Sequence, residues 1–207
     1  LISSWIAYGS RVQIIKTLNK IHQEFLESPT NYIKEKKYQH YQNQEQCLYR
    51  FYQEKDFFQL CETLHKILFE ENFPCLEDKI QSLVCQKPTA IEVLEAITKT
   101  FPNQKGIPQN TKAACKRLCL FLRWMIRKNS EVDFGIWNIL QEKDLIIPLD
   151  THVFRLSKQL SLTNRKQADM LSAIQITEKL KITFPDDPLL GDYALFGYGL
   201  KHQEKTK

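Results

Sequence analysis

The sequence predicts an all-α protein, and two observations support this fold class. Long stretches rich in Leu, Ile, Lys, Glu and Gln repeat their apolar residues at about 3.6-residue intervals, whereas alternating runs of strand length are hard to find. The 207 residues also include only six glycines and eight prolines. A chain of this length buries a sizeable core and forms one domain or two small ones.

The N-terminal segment, residues 1 to about 26, is predicted to be a helix interrupted near Gly9, where the run AYGS breaks or bends it. Because the chain begins inside this apolar pattern, we expect it to be a fragment without its true N-terminus. The next stretch, ESPTNYIKEKKYQHYQNQEQ, is polar and rich in lysine and tyrosine. It suits contact with nucleic acid, but a solvated surface loop or short helix is the favoured interpretation.

Three helical patterns follow between residue 47 and Phe101, bounded by Pro74, Pro88 and Pro102. The clearest helical pattern comes next, KAACKRLCLFLRWMIRK at residues 112–128, with Asn110 or Thr111 as the predicted N-cap.

A helical wheel of this pattern separates its apolar and basic residues. At about 100° per residue, one broad arc is apolar and the basic residues fall within about 60° of one another on the other side. The apolar arc contains Ala114, Cys115, Leu118, Phe121, Leu122, Met125 and Ile126. The basic stripe contains Lys112, Lys116, Arg123 and Arg127. A solvated face explains the stripe, and contact with a phosphate backbone explains it equally well.

Asp150, in the run IIPLDTHVFRLSKQL, is predicted to be the N-cap of another helix. Pro148 keeps Ile147 extended, and apolar residues at helical spacing follow Asp150. The carboxylate should accept backbone N–H bonds of the first turn and remain ionised at neutral pH. Two closing helices are predicted in ADMLSAIQITEKLKITF and PLLGDYALFGYGLKH, followed by the frayed tail QEKTK.

The composition limits the classes of protein to which this chain can belong. The formal net charge of +5 is a mild bias toward polyanionic partners. The six cysteines form neither a CxxC pair nor a Cys/His cluster with zinc spacing, and no signal peptide or apolar run of membrane length is present. We therefore expect a cytoplasmic protein with free buried thiols, no metal, no cofactor and no membrane partner.

The basic helix with its central lysine, followed after a connector by Pro-x-Asp-Thr-His-Val-x-Arg, resembles the helix-hairpin-helix DNA glycosylase superfamily. This superfamily includes endonuclease III and an archaeal branch acting on oxidised guanine. Asp150 in LDTHVFRLSKQL matches the catalytic aspartate, and Lys116 in KRLCLFL matches the lysine of the bifunctional members. The run LISSWIAYGSRV is similar to the first barrel helix and places Tyr8 near a residue that wedges into DNA.

Most of the chain looks like an uncharacterised bacterial family assigned to this superfamily, through ACKRLCLFLRWMIRK, IIPLDTHVFRL and DYALFGYG. Two features depart from the superfamily. The Gly-x-Gly hairpin that binds a DNA phosphate is replaced by GIPQNTKAACK, whose proline cannot donate. The four-cysteine iron–sulfur motif is absent after Asp150, and the connector from Lys116 to Asp150 has a length more like that of the archaeal branch.

The resemblance implies a helical barrel and a smaller helical lobe with a DNA cleft between them. Residues 1–130 would form the barrel lobe and end in the Lys116 helix, and residues 131–207 would form the second lobe. The implied partner is double-stranded DNA, bound by a monomer. The implied DNA-binding residues are Tyr8, Lys112, Arg123, Arg127 and Arg155.

The implied reaction is excision of a damaged base after base flipping, combined with cleavage at the abasic site. Breaking the bond between base and sugar develops positive charge on the sugar, which the carboxylate of Asp150 would stabilise. The amine of Lys116 would attack C1′ and form a Schiff base, but only in its neutral form. Its cationic neighbours favour the neutral amine and Asp150 favours the charged one, so the net direction stays open.

Two alternatives to an enzyme remain at this point. The first is a non-catalytic DNA-binding relative that recognises distorted or abasic DNA, and the second is a helical interaction module whose basic stripe is only solvated. Trp5, Trp124 and Trp137 are candidates to stack on a flipped base, although a core position is the favoured interpretation of each. His152 is predicted to be a structural side chain packed against the barrel.

Overall fold

A computed structural model describes residues 1–25, 28–128 and 130–203, and over these ranges the protein is mostly helical, as predicted. The described part of the chain forms two compact units. The first comprises Leu1–Cys85 and Ala96–Gln109, and the second comprises Gln86–Glu95 and the chain from Asn110 onward. Residues 26, 27, 129 and 204–207, which include most of the predicted frayed tail, lie outside the described ranges.

The helices of the first unit begin at the N-terminus. They are α1 (Ile2–Trp5), α2 (Arg11–Phe25), α3 (Pro29–Lys34), α4 (Glu54–His65) and α5 (Leu76–Gln81), with a 3-10 turn at Lys37–Tyr41 and a π-helical turn at Lys66–Glu70. The predicted interruption near Gly9 is confirmed, because α1 ends before it and α2 begins after it. The chain enters the second unit at Gln86 and returns to the first unit at Ala96, which lies within α6 (Ala90–Thr100).

The lysine- and tyrosine-rich stretch forms a short helix, as one of the favoured interpretations predicts, but its tyrosines are not solvated. It contains α3 and the 3-10 turn, and Tyr32, Tyr38 and Tyr41 are all buried. The phenols of Tyr32 and Tyr41 donate to Glu24, and the phenol of Tyr38 donates to Glu62 over 2.8 Å. These tyrosines therefore pack into the core of the first unit, with their hydroxyl groups satisfied by carboxylates.

The prediction for the start of the next helix is also wrong, because these residues form a β-hairpin. Strands β1 (Cys47–Tyr49) and β2 (Tyr52–Gln53) pair antiparallel across a tight turn in which Arg50 has a φ of 54°. The hairpin buries Tyr52, whose ring stacks on Trp5 with centroids 4.2 Å apart. Aromatic residues favour strands when they cover a packed surface. Here the packing of these side chains has a stronger effect on the local structure than the helical spacing of the sequence.

The second unit holds the Lys116 and Asp150 segments that carry the resemblance. Its helices are α7 (Lys116–Ile126), α8 (Thr151–Gln159), α9 (Met170–Lys181) and α10 (Leu190–Gln203), with a 3-10 turn at Glu142–Asp144. The boundary predicted between residues 130 and 131 falls within this unit. Arg127 at the end of α7 binds Asp133 and Asp187, each over 2.7 Å, and so joins the two sides of that boundary.

Helix α7 begins four residues later than predicted, so neither Asn110 nor Thr111 is its N-cap. Cys115, in the left-handed region with a φ of 46°, precedes its first residue. Ala113 instead forms an isolated antiparallel bridge with Asp169, and the carbonyl of Lys112 accepts from the backbone N–H of Met170. This pairing with a distant part of the chain replaces the first turn of the predicted helix.

The apolar face of α7 is buried as predicted, and Leu118, Phe121, Leu122 and Ile126 belong to the core of the second unit. Cys61, Cys115 and Cys119 are free buried thiols, whereas Cys47 and Cys85 are exposed, contrary to the prediction. Among the helices of the described residues, none combines the length and apolar character needed to span a membrane.

Candidate active site

Lys116 and Asp150 meet in the second unit. Lys116 is the first residue of α7, and Asp150 is the residue immediately before α8. The Nζ atom of Lys116 donates to Oδ2 of Asp150 over 3.0 Å, and the two side chains are 42% and 18% exposed. The fold therefore brings together the two residues that the sequence singled out for chemistry, while each remains accessible to a ligand.

Asp150 is the N-cap of α8, which confirms that prediction. Its Oδ1 atom accepts from the backbone N–H groups of His152 and Val153 over 2.9 and 2.8 Å, so Oδ2 remains for Lys116. Burial acts to raise the pKa of Asp150, but the Val153 N–H, the charge and hydrogen bond of Lys116, and the His152 N–H together lower it below its ordinary value. The carboxylate is therefore ionised at neutral pH.

A cavity of about 280 Å³ surrounds this pair. Its charged residues are Lys116, Arg123, Asp150 and Asp192. Its apolar and aromatic residues are Leu120, Pro148, Val153, Tyr193 and Phe196. A concave, mainly apolar cavity with a few converging charged groups is the usual form of a small-ligand or catalytic site.

The family of the chain was found by comparison with known proteins. A family model described as "Protein of unknown function (DUF2400)" matches residues 1–201. The chain belongs to the DUF2400 family. No curated protein and no solved structure matched it.

Asp192 is a cavity residue that sequence reasoning missed. It lies in the first turn of α10, is 6% exposed, and accepts a hydrogen bond on Oδ2 from Nη1 of Arg123 over 3.1 Å. Burial raises its pKa to about 6, and the charge of Asp150 acts in the same direction, whereas Arg123 and Lys116 act against the shift. The run DYALFGYG was noted for its resemblance, but nothing local in it indicates that its aspartate reaches Lys116.

Two of the four residues in the predicted basic stripe do not lie on a solvated face. Arg123 and Arg127 have side chains only 12% and 6% exposed, and their guanidinium groups pair with aspartates. The aspartates that they contact are Asp133, Asp187 and Asp192. The ring of Tyr193 lies 4.9 and 5.1 Å from the two guanidinium carbons. Their charges are therefore compensated within the unit, and their predicted role in binding DNA lacks an exposed surface.

The other predicted DNA-binding residues lie in different surroundings. Lys112 is exposed before α7, and Arg155 is exposed in the second turn of α8. Tyr8 belongs to the first unit, where its ring packs edge-on against Tyr49 and Tyr52. The predicted wedge is thus a half-buried member of an aromatic cluster.

Two of the three tryptophans considered for stacking on a base lie in the core, as the sequence favours. Trp5 and Trp137 are buried, and the indole N–H of Trp5 donates to the Lys105 carbonyl over 2.6 Å. Trp124 is half-buried. His152 is exposed, so its predicted packing is wrong. The backbone N–H of His152 contributes to the site through its bond to Asp150.

One cluster in the described residues has side chains of metal-binding type. Glu62, His65 and Glu70 in the first unit place their ligand atoms within 4.8 Å of one another. The ammonium of Lys36 lies 2.7 Å from Glu62 and 3.9 Å from Glu70 and compensates their charge. A lysine in this position competes with a metal ion, so these residues do not argue for a metal in the reaction.

Proposed function

We propose that the DUF2400 chain is a DNA glycosylase with abasic-site lyase activity, built on a helix-hairpin-helix glycosylase fold and acting on a damaged base in double-stranded DNA. The observation that supports this proposal is the 3.0 Å pair of Lys116 and Asp150 in one cavity. An amine and an ionised carboxylate are the two groups that the combined reaction requires.

Asp150 provides electrostatic stabilisation in this reaction. Two backbone N–H groups hold Oδ1 in place, so the carboxylate keeps its position when the Lys116 bond is broken. Its pKa below the ordinary value means that it is charged at neutral pH. A fixed negative charge beside C1′ stabilises the positive charge that develops on the sugar as the base leaves.

Lys116 supplies the nucleophile. Its bond to Asp150 directs Nζ into the cavity, and 42% exposure of its side chain leaves the amine open to a sugar entering from solvent. After its ammonium proton passes to solvent, the free amine forms a bond to C1′ while the bond from C1′ to the base breaks. Opening of the sugar ring then gives the Schiff base. Elimination of the 3′-phosphate from this intermediate cleaves the strand.

The cavity also has surfaces for a flipped base and for the DNA backbone. Tyr193 and Phe196 are 36% and 52% exposed and offer aromatic faces on which a base can stack. The exposed Lys112 and Arg155 are the predicted cations that remain available to phosphates.

The proposal is tested by borohydride trapping on a duplex that carries one abasic site. The wild-type chain should give a covalent adduct, Lys116→Gln should give none, and Asp150→Asn should slow its formation. Lys179→Gln is the matched control, because it removes an exposed lysine on α9 that does not line the cavity and should leave the adduct intact.

The other outcomes identify the alternatives. Salt-dependent binding of the abasic duplex without an adduct, and without base release from any lesion, would support a non-catalytic DNA-binding relative. Failure to bind duplexes even at low salt would support a helical interaction module and would contradict the proposal.

A further inference from the structure

The cavity contains a second carboxylate whose surroundings differ from those of Asp150. Asp150 accepts two backbone N–H bonds and the Lys116 ammonium. Asp192 is more deeply buried, and the bond that it accepts from Arg123 engages Oδ2, which leaves Oδ1 for a ligand in the cavity. Two carboxylates in one site with such different environments are suited to opposite roles in proton transfer.

The charged and titratable groups around Asp192 come from four parts of the second unit. Arg123 and Lys116 on α7 favour the charged form, and Asp150 before α8 opposes it. Asp133 in the connector takes part of the charge of Arg123, whose Nε lies 3.4 Å from it, and Tyr193 on α10 covers the same guanidinium group. Burial exceeds these influences, and the pKa of Asp192 rises to about 6.

We propose that Asp192 is the general acid that protonates the departing base, while Asp150 remains ionised beside the sugar. This inference rests on the proposed function and adds a third catalytic residue to it. A base that stacks on Tyr193 and Phe196 lies in the same cavity as Oδ1 of Asp192. Filling the cavity also excludes water, which favours the protonated carboxyl further.

The step balances with the groups present. The carboxyl proton of Asp192 passes to a nitrogen or oxygen of the base, and the C1′–N bond breaks with its electron pair going to the base. Lys116 first gives its ammonium proton to solvent, and the free amine then forms a bond to C1′ with its lone pair. The base leaves neutral, Asp192 becomes a carboxylate, and the positive charge rests on the nitrogen between Lys116 and the sugar. Solvent then returns a proton to Asp192.

An Asp192→Asn variant tests the inference because it keeps an oxygen that accepts from Arg123. The substrates are single-lesion duplexes containing uracil, 5-hydroxyuracil, hypoxanthine or 8-oxoguanine, and a duplex with an abasic site. On whichever lesion the wild type excises, Asp192→Asn should slow single-turnover base release by about 100-fold. Borohydride trapping on the abasic duplex should fall by much less than base release does, because no base leaves.

The pH profile separates this role from a structural one. The ratio of the wild-type rate of base release to that of Asp192→Asn should fall as pH rises past about 6, where Asp192 loses its proton. Asp192→Glu should recover part of the rate. Equal losses of base release and trapping, or an unchanged rate of base release, would overturn the inference. Thermal melts of the variants check that each one is folded.

A measurement without substrate keeps this inference distinct from the proposed function. In the full chain with ¹³C-labelled aspartate, the carboxyl resonance missing from Asp192→Asn should titrate with a midpoint near 6. A midpoint at the ordinary value of about 3.9 would overturn the acid role even if excision occurs. A wild-type chain that neither excises nor traps would instead overturn the proposed function, and the acid role with it.

Discussion

The starts of α8 and α9 are nearly the same structure with different surroundings. Asp150 has φ −114° and ψ 179°, and Asp169 has φ −112° and ψ 179°. Each aspartate is the N-cap of its helix and accepts a backbone N–H bond from the first turn, the latter from Ser172 over 2.9 Å. Each carboxylate also pairs with a cation. The backbone geometry alone therefore gives no reason to assign chemistry to either.

The two capping aspartates differ in the cation with which each one pairs. Asp169 pairs with Arg165, four residues earlier in the chain, and the pair lines none of the cavities described above. Asp150 pairs with Lys116, which lies on another helix, and this pair lines the 280 Å³ cavity. A capping aspartate thus becomes a candidate catalytic group when the tertiary fold gives it a reactive partner and a space for a ligand.

The largest expected contrast between the two caps is in activity. Asp150→Asn should reduce single-turnover base release by about 10²–10³-fold, because it removes the charge that stabilises the developing cation. Asp169→Asn removes an equivalent charge outside the cavity and should leave the rate within twofold. Both variants are assayed on one lesion duplex at one pH, and equal losses would contradict the assignment of chemistry to Asp150 alone.

A smaller contrast is expected in the free energy of unfolding. Asp169→Ala removes a cap and leaves Arg165 without its partner, so it should destabilise the protein by about 1 kcal/mol. Asp150→Ala removes a cap too, but it also removes a carboxylate that is partly desolvated, and its net cost should be lower. Urea titrations monitored by circular dichroism measure both values. A greater cost for Asp150→Ala would indicate that its ion pair mainly stabilises the fold.

The pH dependence of stability should reveal the Asp169 cap most clearly. The Arg165 hydrogen bond is the largest influence that lowers the pKa of Asp169 from 3.8 to about 2. A lowered pKa in the folded state means that the stabilisation is complete above about pH 4 and is lost as pH falls toward 2. The difference in unfolding free energy between wild type and Asp169→Asn should therefore shrink over that interval. A constant difference would show that the carboxylate contributes no charge-dependent stability.

Asp192 should contribute to stability with the opposite sign. Its pKa of about 6 in the folded state is raised, so its contribution is present below about pH 4 and is lost as pH rises through 6. Asp192→Asn should remove this loss, and its unfolding free energy should fall less than that of wild type between pH 4 and 6. Urea titrations at several pH values measure the slopes, and equal slopes would contradict the raised pKa.

Sequence reasoning succeeded where local chemistry decides the structure. The Asp150 cap follows from the extended residue before Pro148 and the helical spacing after it, and both closing helices lie where the periodicity indicates. Sequence reasoning failed where contacts between distant segments decide the structure. The pairing of Lys112 with Met170 delays α7, and the aspartates that compensate Arg127 come from the connector and from the segment before α10.

Asp192 shows why the candidate site was only partly predictable. Lys116 and Asp150 were found through motifs, which are local in the chain, and the fold then placed them 3.0 Å apart. Asp192 has no motif of its own, and its environment arises from burial beside Arg123 on another helix. Such a pKa shift is a property of packing, so periodicity and spacing carry no information about it.

The smallest expected contrast concerns the arginines beside the two caps. Arg155 in α8 is exposed and forms no salt bridge within the described ranges, whereas Arg165 is held by Asp169. If α8 faces DNA, Arg155→Gln should reduce the slope of log K against log salt by about 1, because one phosphate contact is lost. Arg165→Gln should leave the slope unchanged, because its charge is already compensated. Fluorescence anisotropy on one abasic duplex between 50 and 200 mM salt, about the range over which such contacts act, measures both slopes. An unchanged slope for Arg155→Gln would remove α8 from the DNA-binding surface, while the roles of Asp150 and Lys116 would still depend on the trapping experiment.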